Sequence, residues 1–119
     1  MIYTKLSEII AIAENNDFVM HEYEEDDTLC GYELESWTNG GVNMIHFIDC
    51  RGIGVTPENI LSELKELLEN FDIDDKIDCH RQYKSYRDAF TIRQSVLDFE
   101  AYYDRFVHFV EEVEKAVNS

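Results

Sequence analysis

The sequence predicts an α+β domain: one helix, then a three-stranded antiparallel meander, then two to four helices packed on one face of the sheet. Three observations lead there. Leu6, Ile9, Ile10 and Ala13 recur at helical spacing. Between Asp17 and Asp49 the composition changes to that of strands, broken by the turn signals Asp26-Asp27 and Asn39-Gly40. From Thr56 onward a helical period returns and persists to the last residues.

The first helix is expected over Lys5–Asn15, with Thr4 as its cap and Asn15-Asn16-Asp17 as its end, since these residues favour turns. Strands are expected at Asp17–Glu25, Leu29–Trp37 and Val42–Asp49. In the second strand Cys30, Tyr32 and Leu34 share one face, and Leu29, Glu33, Glu35 and Trp37 share the other. Asn39-Gly40 is the strongest two-residue hairpin signal in the chain. The third strand is apolar on both faces, which predicts a central or doubly covered position. Thr56-Pro57-Glu58 reads as a helix start, with Thr as cap, Pro at the first position and an acid at the positive dipole end. Ile60, Leu61, Leu64, Leu67, Leu68 and Phe71 form that helix's buried stripe. Helix is also expected across Asp72–Ile92, with Asp74-Asp75 as a cap. Ser95 and Asp98 then resemble a capping box ahead of a stripe running Val96, Phe99, Tyr103, Phe106, Val107, Val110, Val113 and Val117.

The whole chain, residues 1–119, reads as one domain long enough to bury a core. A hydrophobic fraction of 45% argues against disorder despite the charge. Acids number 26 against 10 Lys and Arg, giving a formal charge of −16. Nucleic acid and anionic membranes would repel such a molecule, and a basic protein surface would attract it. Lys5 and Glu8 interrupt any leader pattern in residues 1–13, and no apolar run approaches the about 20 residues needed to span a bilayer. The expected location is the cytoplasm. Three cysteines without a CxxC pair point to reduced thiols.

No lysine or arginine occurs between Lys5 and Arg51, while acids crowd the same span. The sheet is therefore expected to have one apolar and one acidic face. Acids two apart on a strand lie about 6.8 Å apart and point the same way. Glu22 with Glu24, and Glu33 with Glu35, meet that condition, and Glu25, Asp26 and Asp27 extend the row around the turn. Such a ladder of carboxylates stands in for nucleic-acid phosphates and fits a basic groove, with salt-sensitive binding. The alternative is a solvated face that keeps the protein soluble, although such faces usually mix both signs.

Other chemistry is less supported. A zinc site would draw on Cys50, Cys79 and His80, with His46 four residues before Cys50 and Cys79 next to His80, yet the CxxC or HxxxH pairing of zinc modules is missing; His21, Cys30 and His108 are the other thiols and imidazoles. Asp72, Asp74, Asp75 and Asp78 suggest a calcium loop, but Ile77 and Tyr83 occupy the positions that need glycine and glutamate. No nucleophile, phosphate-loop or dinucleotide motif is present, so no catalytic residue is nominated and no cofactor is expected. Arg81, Tyr83, Lys84, Tyr86, Arg87 and Arg93 form a basic, aromatic segment, better matched to internal ion pairs than to nucleic acid in so acidic a chain.

Four stretches carry a resemblance. They are Trp37-Thr38-Asn39-Gly40-Gly41-Val42-Asn43-Met44-Ile45, Asn70-Phe71-Asp72-Ile73-Asp74-Asp75-Lys76-Ile77-Asp78, Arg81-Gln82, and Tyr86-Arg87-Asp88-Ala89-Phe90-Thr91-Ile92-Arg93-Gln94-Ser95 continuing to Asp98-Phe99-Glu100. Together they resemble small acidic proteins of unassigned function encoded on phages and conjugative elements of gut bacteria, over roughly the last two-thirds of the chain. The resemblance carries no catalytic motif. It implies a setting in which small acidic proteins include anti-CRISPR and anti-restriction inhibitors, several of them nucleic-acid mimics.

The expected function is a non-enzymatic inhibitor that binds the nucleic-acid groove of a host CRISPR effector or restriction nuclease through Glu22, Glu24, Glu25, Asp26, Asp27, Glu33 and Glu35. Direct contact with nucleic acid or membrane is not expected. Two alternatives remain. One is an accessory subunit, possibly a homodimer, that uses an apolar patch around Trp37 and the C-terminal helix. The other is a zinc-stabilised module.

Overall fold

The computed structural model describes residues 2–76 and 89–119. In chain order the elements are α1 (Ile2–Asn15), β1 (Val19–Glu25), β2 (Thr28–Trp37), β3 (Asn43–Asp49), α2 (Pro57–Glu69) and α3 (Ala89–Asn118). The strands form one antiparallel sheet in the order β1-β2-β3, so the helix, meander and following helices match the expected α+β class.

Local chemistry explains most boundaries. α1 ends where Asp17 takes a left-handed φ of 63°. That lets the Phe18 N–H reach the Ala13 carbonyl at 2.9 Å and the Asp17 N–H reach Glu14 at 3.1 Å, closing the helix. Thr4 lies inside α1 rather than capping it. α2 starts as its sequence requires: the Thr56 hydroxyl accepts the Asn59 N–H at 3.2 Å and Pro57 holds the first position.

α3 departs from expectation. It runs unbroken from Ala89, so Ser95 is an interior residue and opens no new helix. Asp98 instead accepts the Gly40 N–H at 2.8 Å, pinning the β2–β3 loop to α3. That loop does not use Asn39-Gly40 as a two-residue turn. Thr38 and Val42 close a three-residue loop, and Gly41 takes the left-handed position with φ 91°. The expected cap at Asp74-Asp75 is supplied by Asp72, whose carboxylate accepts both of their N–H groups, at 3.0 and 3.4 Å. The rest of the helix expected across Asp72–Ile92 falls largely on residues outside those described.

The helices cover one face of the sheet. Tyr32, Leu34 and Ser36 of β2 and Met44 and Ile48 of β3 are buried there, with Phe18, Ile9, Ala13, Ile60 and Leu64. α3 contributes Phe99, Tyr102, Phe106, Phe109, Val110, Val113 and Val117. Phe18 is the hub: it stacks on Phe109 at 5.1 Å and meets Tyr102 edge-on at 5.8 Å. β3 is an edge strand, not a central one, and among the described residues no element covers its other face: Ile45 is exposed.

Two polar devices lock this core. The Arg105 guanidinium donates to the carbonyls of Asn16 (2.9 Å), Asp17 (3.3 Å) and Trp37 (2.9 Å) and to the Ser36 hydroxyl (2.7 Å). It also lies over the rings of Phe18 and Tyr102, 4.7 and 5.2 Å from their centroids. At the other end, the Lys5 ammonium donates to the Val117 and Ser119 carbonyls at 2.9 and 3.0 Å, satisfying the C-terminus of α3.

His46 on β3 points into the aromatic core, 2.8 Å from the Tyr102 hydroxyl. Burial, with a smaller contribution from Lys76, depresses its pKa from 6.5 to about 4. The imidazole is thus neutral in the fold at neutral pH. In the unfolded chain it takes up a proton first as pH falls, so folding loses stability from about pH 6.5 down to about pH 4. Urea titrations across that window should show an acid limb worth about 2–3 kcal/mol in the native chain. In a His46→Gln variant that limb should be absent, and an unchanged limb would show that His46 does not carry it.

Candidate functional site

The sheet places the seven nominated carboxylates on two faces, not one. On β1, Glu22 pairs with Tyr32, whose side chain is buried beneath the helices, so Glu22 points to the helix side at the rim. Glu24 pairs with Leu29, which also packs against the core. Leu29 reaches that side because the β1–β2 register shifts between Tyr23 and Glu24, leaving Cys30 without a β1 partner. The expected grouping of Leu29 with Glu33, Glu35 and Trp37 is thereby corrected. Glu33 and Glu35 lie on the opposite, uncovered face, in the rows His21–Glu33–Phe47 and Val19–Glu35–Ile45.

The end of the β1–β2 hairpin does gather acids. Asp26 and Asp27 form its two-residue turn, both left-handed with φ of 51° and 63°, a conformation that Asp tolerates better than most residues. Glu22, Glu24, Glu25, Asp26, Asp27 and Thr28 are all exposed. Glu25 is not a bare charge. It accepts the Tyr23 hydroxyl at 2.8 Å and an Arg51 N–H at 3.1 Å.

Arg51 is the residue that sequence reading missed. It lies in the turn after β3, and its side chain folds back over the sheet. Its guanidinium donates to both Asp49 oxygens, at 3.0 and 2.8 Å, and sits 5.7 Å from the Phe47 ring centroid. These bonds hold the Asp49 carboxyl below the ordinary range and raise Arg51 further. The available signal was the Asp-x-Arg spacing at a strand end.

Glu35 sits among apolar neighbours. It accepts from His21 Nε2 and from Asn43 Nδ2, each at 3.0 Å, and the two bonds lower its pKa. The uncovered face is therefore mixed, with acids set among exposed Val19, Trp37 and Ile45, and is not the uniformly acidic surface expected.

The remaining candidates resolve differently. Cys50 is buried, and burial, with Glu63 and Asp49 nearby, raises its thiol. Cys79 and His80, the other proposed zinc ligands, lie outside the described residues, as do Ile77, Asp78, Arg81, Tyr83, Lys84, Tyr86 and Arg87. Among the described residues, no group of three His, Cys, Asp or Glu side chains is arranged to hold a metal ion. Asp72 is engaged in helix capping. Among the described residues, no helix is long and apolar enough to cross a membrane. Comparison of the chain with protein-family models, with curated proteins and with solved structures gives no match.

Proposed function

We propose that the protein is a non-enzymatic inhibitor that seats the acidic end of its β1–β2 hairpin in the basic nucleic-acid groove of a host defence nuclease, of the CRISPR-effector or restriction type. The observation that carries this reading is the exposure of five acids, Glu22, Glu24, Glu25, Asp26 and Asp27, around one tight turn in a span without lysine or arginine. The turn keeps the hairpin narrow, and its acids face both sides, so a groove lined on both walls by basic side chains can engage it. The nuclease class rests on the resemblance to proteins of mobile elements and on the chemistry of a groove built for phosphates.

The test is binding of purified protein to candidate nucleases at low and high salt, with and without their nucleic acid. Groove occupancy predicts retention that fades steeply with salt and is competed by DNA or guide RNA. The variant should preserve the turn, so Asp26→Asn and Asp27→Asn are combined with Glu22→Gln and Glu24→Gln. Asn accepts the left-handed conformation, and the exposed glutamines leave the core untouched. Affinity is expected to fall by about two orders of magnitude. Binding by this variant equal to that of the native chain would remove the hairpin as the contact.

A further inference from the structure

The uncovered sheet face holds a second surface, independent of the hairpin end. Val19, Trp37 and Ile45 are 47%, 58% and 57% exposed. Single exposed apolar residues are ordinary, but these three share one face and surround one residue. Val19 and Ile45 flank Glu35 from the two neighbouring strands, and Trp37 follows two residues along β2 on the same face. At their centre the Glu35 carboxylate is oriented, one oxygen held by His21 and the other by Asn43, each at 3.0 Å, with a third of its side chain still open.

An ionised, pre-positioned carboxylate with apolar shoulders and an indole plane beside it is the complement of an arginine. The guanidinium bonds to the carboxylate through its planar fork, the aliphatic stem covers apolar surface, and the flat face stacks on tryptophan. We propose that this face binds a basic segment of a partner protein, with an arginine seated over Glu35 and the arginine's apolar neighbours covering Val19, Trp37 and Ile45. Charge decides the occupant. A chain of formal charge −16 draws in a cationic segment. A second copy meeting this face about a two-fold axis would set Glu33 and Glu35 against their own images.

The probe is an eight-residue peptide of alternating arginine and valine, with a counterpart in which neutral citrulline replaces arginine. Each is titrated into the intact ¹⁵N-labelled chain. The arginine peptide should shift the Trp37 indole N–H and the amides of Val19, Glu35 and Ile45, while the citrulline peptide should bind at least about tenfold more weakly. Glu35→Gln and Trp37→Ala should each weaken the arginine peptide about tenfold, and Glu22→Gln with Glu24→Gln less than about twofold. Three results would overturn the proposal. One is shifts confined to the hairpin end with Glu35→Gln binding as the native chain does. Another is no shifts at millimolar peptide. The third is a native chain that sediments as a dimer and becomes monomeric on Trp37→Ala, which would give the face to a second copy.

Discussion

An Arg105→Leu variant is expected to lose about 4 kcal/mol of unfolding free energy, a large share of what a domain of this size holds. The guanidinium gathers the end of α1, the entry to β1 and the end of β2 onto α3, through Asn16, Asp17, Ser36 and Trp37. Leucine keeps part of the stem's apolar contact with Phe18 and Tyr102 but removes every donor. Part-buried Asn16 carbonyl and Ser36 hydroxyl oxygens then lose the guanidinium donor they accept from, and such groups are costly to leave unsatisfied. Arg105→Lys should recover less than half of the loss, because a single ammonium nitrogen cannot serve both the Asn16–Asp17–Ser36 group and the Trp37 carbonyl, which the guanidinium reaches with two separate nitrogens. Urea unfolding followed by far-ultraviolet circular dichroism gives both numbers. A loss below about 1 kcal/mol for leucine would mean that water replaces the guanidinium at no great cost.

Gly31→Ala is the second large effect, also about 4 kcal/mol. A Cβ at Gly31 would overlap the Ile48 carbonyl oxygen and stand 3.1 Å from its carbon. Both atoms are backbone in the neighbouring strand, so relief requires β3 to move away from β2, the strand that holds the sheet together. Gly41→Ala is the control. Gly41 has a left-handed φ of 91° but open space around its Cα, so alanine there should cost only about 1 kcal/mol of backbone strain. Equal losses at the two positions would refute the steric account.

Where one residue's chemistry decides the structure, the sequence was legible. Thr56-Pro57-Glu58 opened α2 because cap, fixed φ and dipole agree, and Asp26-Asp27 made a tight turn between two strand-like runs. Illegible features depended on partners distant in sequence. Asp98 looked like half of a local capping box, but its carboxylate serves Gly40, 58 residues away. Asn39-Gly40 lost its favoured turn for the same reason, once Gly41 offered a looser loop that docks on α3. The expected acidic ladder split because the β1–β2 register sets Glu22 beside buried Tyr32 while Glu33 and Glu35 face away, and a register between two strands is not written in either one. A register shift beside Cys30 reverses which way Leu29 faces, and strict alternation across the strand assigns it to the wrong side. β3 looked central because Ile45 and Phe47 are apolar on its outward side. Phe47 is half-buried against Tyr23 and Arg51, but Ile45 is exposed, and that exposure makes the uncovered face chemically informative.

The lysine that closes the C-terminus of α3 has a consequence for how the chain comes to be made. Lys5 and its acceptor Val117 are 112 residues apart, and Ile9 and Ala13 of the same helix are buried in a core completed by the last turns of α3. At a synthesis rate of roughly 5–20 residues per second, α1 waits about 6–22 seconds on the ribosome before its seal exists. During that interval its apolar stripe is open to chaperones and to neighbouring nascent chains. Closure of this core therefore awaits synthesis of the last turns of α3, and a pause while those turns are translated should extend the window in which the chain is captured or lost.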